Sequence, residues 1–126
     1  MELKDYQITA LQQVRQYLEV LDTWRDKYKQ VADIVGKNAA PDFPLKTWET
    51  VKSPFYHSHK NGLGDYLPNF CLKIPTGGGK TLLAVKTIDL IQSIYLSRKN
   101  GLVLWIVPSD AIYRQTIKNL KDHDHP

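Results

Sequence analysis

Cysteine is almost absent from this chain. Cys71 stands alone among 126 residues, which excludes an internal disulfide framework and agrees with a reducing compartment. Long hydrophobic runs are missing too. No apolar stretch approaches the ~20 residues needed to cross a bilayer. The start, Met1-Glu2-Leu3-Lys4-Asp5, lacks the basic-then-apolar layout of a secretory signal. A soluble, cytoplasmic protein with no membrane partner is the expectation. There is no internal repeat and no low-complexity tract. Histidine occurs as two H-x-H pairs, His57/His59 and His123/His125. Neither pair has a cysteine or third ligand at zinc-site spacing, so both read as surface histidines. Charge of one sign hardly dominates: 17 Lys and Arg against 13 Asp and Glu leave a formal +4. That mild basic bias fits a nucleic-acid partner without requiring one. Lys27, Lys29, Lys99, Lys118 and Lys121 are scattered and read as solvated faces. At 42% hydrophobic and 24% charged, the composition is that of an ordinary globular domain with one modest core.

What is present falls into three stretches, 1–36, 37–68 and 69–126. In the first, Ile8, Leu11, Val14, Leu18, Leu21, Trp24, Tyr28, Val31 and Val35 step by threes and fours. The spacing predicts a long helix with one apolar face. Asp5 is the expected N-cap, and Gly36 stands where such a helix ends. From 37 to 68, Pro41, Pro44, Pro54 and Pro68 with Gly62 and Gly64 interrupt any periodicity, leaving one short helix over Leu45 to Val51. Phe43, Trp48, Phe55, Tyr56 and Tyr66 make this stretch too aromatic for a disordered linker; it reads as an ordered insertion packed on the domain surface. The last stretch alternates. Phe70 to Ile74 reads as a strand, with Cys71 as a small core residue in it. Lys80 to Leu96 reads as a helix, and the apolar run Leu102 to Val107 as a strand covered on both faces. Ser109 is expected to cap a final helix through Leu120. Strand, helix, strand, helix predicts a parallel sheet with right-handed crossovers and flanking helices, an α/β fold.

The chemistry concentrates in Ile74-Pro75-Thr76-Gly77-Gly78-Gly79-Lys80-Thr81. Glycines let backbone N–H groups converge on phosphate oxygens with no β-carbon in the way. The helix that opens at Lys80 adds its positive dipole end and its unbonded N–H groups. In such a loop Lys80 reaches the β- and γ-phosphates of ATP, and the Thr81 hydroxyl ligates Mg²⁺. The strict pattern G-x-x-x-x-G-K-[ST] fails only at its first glycine, which is Ile74 here.

At this loop the chain resembles superfamily 2 helicases, in which a residue other than glycine commonly opens the motif. Leu3-Lys4-Asp5-Tyr6-Gln7-Ile8-Thr9-Ala10-Leu11 is similar to the glutamine motif with which those helicases read adenine. The Gln7 amide offers both a donor and an acceptor for that purpose, and Tyr6 is placed to stack on the base or to pack on the domain. Val107-Pro108-Ser109-Asp110-Ala111-Ile112-Tyr113-Arg114-Gln115-Thr116 looks like motif Ia, which touches the DNA backbone. Pro108, Ser109 and Gln115 are the residues this suggests, beside the simpler reading of Ser109 as a helix cap. Closer still, Leu72 to Leu83, including Leu82, and Gly101 to Ser109 resemble the restriction (Res) subunit of type III restriction enzymes. That resemblance runs over essentially the whole chain and implies a RecA-like P-loop NTPase domain, here incomplete. It also implies an ATP- and Mg²⁺-dependent motor with endonuclease function on double-stranded DNA, working with a methyltransferase (Mod) subunit.

No D-E-x-H or D-E-x-x box occurs after the loop in these residues. Such a box carries the carboxylate that holds Mg²⁺ and orients water, so the chain reads as a fragment or a truncated gene product. Two other readings stand beside the motor: a different P-loop NTPase, and a non-catalytic remnant that retains only nucleotide or partner binding. Tyr6-Gln7 upstream and Pro108-Ser109 downstream favour the helicase over a small kinase.

Overall fold

A computed structural model describes residues 2–51, 55–75, 77, 79–106 and 109–123. A 31-residue helix, α1 (Asp5–Val35), is its backbone. The N-cap is Lys4, in extended conformation, not the expected Asp5. The amides of Gln7 and Ile8 both reach the Lys4 carbonyl, at 2.9 and 3.0 Å. Asp5 is instead the first helical residue, where its charge opposes the helix dipole's positive end. Gly36 ends the helix at φ 91°, its amide bonding the Ala32 carbonyl, a backbone conformation that glycine adopts without a Cβ penalty.

The apolar stripe of α1 makes the core. Val14, Tyr17, Leu18, Leu21 and Tyr28 are buried together with Ala40 and Phe43. Ile8 and Val35, at the two ends of the stripe, are exposed. A 3₁₀ turn (Lys37–Ala39) leads into α2 (Phe43–Thr50). This helix starts two residues before the expected Leu45 and stops short of Val51. Asp42 caps it by accepting the Leu45 amide at 3.1 Å, and Ser58 also donates to the Asp42 carboxylate. Pro44 lies in the first turn, where no intrahelical donor is needed. A short antiparallel hairpin follows, β1 (His59–Lys60) with β2 (Tyr66–Leu67), in register His59↔Leu67 and Lys60↔Tyr66. The Asn61 side chain closes its turn by accepting the Leu63 and Asp65 amides. Tyr28 stands 5.1 Å from Phe43 and 5.9 Å from Tyr66, ring centre to ring centre, and Tyr17 stands 5.7 Å from Trp48 and 5.1 Å from Phe70. These aromatics fasten the 43–70 stretch to α1. Burial pushes the Tyr17 hydroxyl well above the usual phenol range.

α3 (Lys80–Leu90) runs on into a π-helical stretch, Ile91–Leu96, so the helix expected over 80–96 changes its hydrogen-bond register in its last third. Arg25 of α1 holds that stretch. Its guanidinium donates to the Tyr95 carbonyl at 2.7 Å and lies 3.9 Å from the Tyr95 ring centre, a cation over an aromatic face. α4 (Asp110–His123) closes the described chain and runs three residues past the expected Leu120. Ser109 caps it as expected, accepting the Ile112 amide at 3.3 Å.

The two predicted parallel strands are not formed. Among the described residues the only sheet is the β1–β2 hairpin, and 70–74 and 102–106 carry no strand. Val107 lies outside the described residues. The physical reason is that a strand exists only through its ladder partners, since unpaired backbone groups gain nothing from extension. Here 102–106 has α3 on one side and solvent on the other. Leu102, Leu104 and Ile106 are 101%, 84% and 82% exposed, whereas Trp105 is partly covered. Cys71 likewise is exposed and is not the core residue expected of it.

Candidate functional site

The glycine-rich loop joins the 70–75 segment to α3. Gly77 and Gly79 both have φ 76°, left-handed conformations that a residue with a Cβ adopts at a cost of about 1–2 kcal/mol. Gly79 is also the N-cap of α3, at ψ 42°. Its carbonyl accepts the Leu83 amide at 3.0 Å, which closes the first turn. The amides of Lys80, Thr81 and Leu82 have no helical acceptor ahead of them, as in the first turn of any helix. They therefore point with the helix dipole toward the loop. Lys80 is exposed at the first helical position, while Thr81 and Leu82 are half-buried beside it. Leu83, one turn in, is buried and anchors the helix end to the core side. Thr76 and Gly78 lie outside the described residues.

The first turn of α1 meets this loop. Gln7 is only 6% exposed although it belongs to the opening turn of a surface helix. Its Oε1 accepts the Lys4 amide at 2.9 Å, one half of a capping box. Its Nε2 lies against Gly79, 2.5 Å from where a Cβ on that residue would stand. The residues of the glutamine-motif and phosphate-loop expectations, separated by about seventy positions in sequence, are thus brought into contact. Tyr6, next to Gln7, is 40% exposed at the same end of α1.

The other expected contacts do not join this group as described. Ser109 and Gln115 are exposed on α4, and Pro108 lies outside the described residues. The Ser109 hydroxyl is engaged as the α4 cap. His57 and His59 are exposed, and no cluster of metal-ligating side chains occurs among the described residues. The groove of about 270 Å³ between α1 and α3, lined by Ile8, Leu11, Arg15, Lys86 and Leu90 among others, includes no residue of the glycine-rich loop. Two features escaped the sequence reading. One is Lys4, whose backbone amide fixes the Gln7 carboxamide; the i, i+3 spacing of a helix start from a Gln was the available signal. The other is that Gly79 must be glycine for a second reason, the room it leaves for Gln7.

Against known families, the model described as "Type III restriction enzyme, res subunit" matches residues 1–125. No curated protein and no solved structure matches the chain.

Proposed function

This chain belongs to the type III restriction enzyme res-subunit family, and on that premise we propose that it is the ATP-binding segment of a DNA-dependent ATPase and translocase. The observation that carries the reading is the convergence at the N-terminus of α3. There, left-handed glycines, an exposed lysine and a buried glutamine from a distant helix meet at one point. Such a constellation suits a polyanion attached to a base.

In this reading the amides of the loop, from Thr76, Gly77, Gly78 and Gly79 into Lys80, Thr81 and Leu82, hold the phosphate chain of ATP. Lys80 supplies the positive side chain, and Thr81 supplies a hydroxyl to Mg²⁺, whose chemistry is to neutralise phosphate charge. Tyr6 stacks on the base, and Gln7 reads its edge. A carboxamide offers both a donor and an acceptor, the pairing that a purine edge requires. Pro108, Ser109 and Gln115, with the N-terminal amides of α4, face the backbone of double-stranded DNA.

A RecA-like fold belongs to the same proposal. Its support is that Phe70, Leu72 and 103–106, although not paired as strands, line one mostly apolar groove of about 410 Å³ over Ala84, Thr87 and Ile88 of α3. The methyltransferase subunit as partner, the nuclease function and a cytoplasmic location belong to the same proposal, with family membership as their support. Among the described residues no helix is long and apolar enough to cross a membrane.

Titration of Mg·ATP into the wild-type chain and into Lys80→Ala tests the assignment. Losing a charge-assisted phosphate contact costs on the order of 2–5 kcal/mol, or tens- to thousands-fold in affinity. Equal affinity for the two proteins, with circular dichroism unchanged, rejects the phosphate loop.

A further inference from the structure

Lys60-Asn61-Gly62-Leu63 and Lys99-Asn100-Gly101-Leu102 are the same four residues in the same order. Asparagine followed by glycine is prone to spontaneous deamidation, because a following residue without a Cβ leaves its backbone nitrogen free to approach the asparagine Cγ. That nitrogen gives up its proton to water or hydroxide and bonds to Cγ. The Cγ–Nδ2 bond breaks, and ammonia leaves with a proton from solvent. Water then opens the cyclic imide at either carbonyl, giving aspartate or its isomer with the main chain running through the side-chain carboxyl. With the local sequence identical, only the fold can tell the two asparagines apart.

The fold treats them oppositely. Asn61 opens the hairpin turn, and the torsions that ring closure must rotate are tied. Its amide donates to the Asp65 carbonyl at 2.9 Å, and its carbonyl accepts the Gly64 amide at 3.1 Å. Its Oδ1 accepts the Leu63 and Asp65 amides at 2.9 and 3.0 Å. The Asp65 carboxylate faces the Asn61 side chain, a negative charge that opposes the anionic nitrogen required for attack. Asn100 lies in no regular element, exposed between the π-helical stretch and 102–106. Among the described residues no hydrogen bond holds its carboxamide. A Cβ on Gly101 would meet only Gln92 Nε2, at 3.2 Å. The exposed Arg98 and Lys99 precede Asn100, and their positive charge favours the anion formed during attack.

We propose that Asn100 is a site of spontaneous deamidation in the folded protein, and that the hairpin turn shields Asn61, its twin in sequence. Each conversion takes one unit from the formal +4 and places a carboxylate beside Arg98 and Lys99. The isomeric product also lengthens the main chain between α3 with its π-helical end and 102–106.

Peptide mass spectrometry tests this on the full chain. The folded protein is held in mildly alkaline buffer, and timed samples are digested with pepsin in acid, where the reaction stops. Asn100 should convert about tenfold faster than Asn61, since closure at Asn61 must first break two bonds on Oδ1, each worth about two- to tenfold. In urea, where the hairpin is lost, the two rates should converge. Asn100→Gln should abolish the acidic species that accumulates on ion exchange, because the longer side chain does not close the same ring. Equal rates in the folded chain, or no conversion at either position, overturn the proposal. So does a faster Asn61, which would mean that the two amides on its Oδ1 stabilise the oxyanion of the attack. A gap that persists unchanged in urea overturns it as well, because the fold is then not its cause.

Discussion

Gly77 and Gly79 offer a matched pair for testing how the loop is held. Both have φ 76°, but a Cβ on Gly77 meets nothing within 4 Å, whereas one on Gly79 lands 2.5 Å from Gln7 Nε2. Gly77→Ala should therefore report left-handed strain alone, about 1–2 kcal/mol. Gly79→Ala carries the same strain and must also push Gln7 away. A carboxamide at the end of a flexible side chain moves cheaply unless it is tied, and this one is tied to the Lys4 amide at 2.9 Å. Breaking that bond adds about 0.5–1.5 kcal/mol, so Gly79→Ala should be the worse of the two by about 1 kcal/mol. Urea unfolding followed by circular dichroism gives both numbers. The decisive comparison repeats them in a Gln7→Ala background, where the helix cap is lost in both members and cancels in the cycle. There the two alanine variants should become equal. A gap that persists without Gln7, or one that never existed with it, refutes the contact as the cause.

Other measurements follow from the same structure. Leu21 is 1% exposed at the centre of the α1 stripe, so Leu21→Ala should cost about 2–5 kcal/mol in urea unfolding; a loss under 1 kcal/mol would mean the core is not where α1 places it. Asp65 pairs with Lys37 at 2.9 Å, and the lysine's hydrogen bond holds its carboxyl below the ordinary 3.8. A lowered acid stabilises the fold above its unfolded value and loses that contribution as pH falls through the folded one. The stability difference between wild type and Asp65→Asn should thus be largest near neutrality and shrink below about pH 3.8; a difference that stays flat across that range removes the ion pair from the account. The 126 residues contain no D-E box, and hydrolysis in P-loop motors draws on such a carboxylate and on an arginine worth about 10³–10⁵ in rate. Phosphate release from this purified chain should stay at the Lys80→Ala background with or without DNA, and DNA-stimulated turnover that vanishes in Lys80→Ala would show a complete catalytic site here.

Much of this protein was determined by local sequence. The three- and four-residue spacing from Leu11 to Val31 is enough for a helix whatever surrounds it, and Gly36 ends it because that position needs a positive φ. Ser109 before an acidic first turn marked the start of α4, and the glycines before Lys80 marked a left-handed turn at a helix N-terminus. Capping, periodicity and glycine conformation act within a few residues, which is why they are legible in a single chain. The errors have the opposite character. Asp5 and Lys4 differ by one position, and the choice between them depended on where the Gln7 carboxamide found its partner. The runs at 70–74 and 102–107 have strand-like composition, but a strand is a relation between segments, and among the described residues no ladder partner lies beside them. The π-helical stretch Ile91–Leu96 is contacted at Tyr95 by Arg25, far away in sequence. The contact between Gln7 and Gly79 likewise came only from the packing of α1 against α3. Sequence by itself determined where the glycine turn and the helix that follows it stand. Tertiary structure alone decided what holds them there, because burial and long-range hydrogen bonds belong to pairs of segments and are written in neither one.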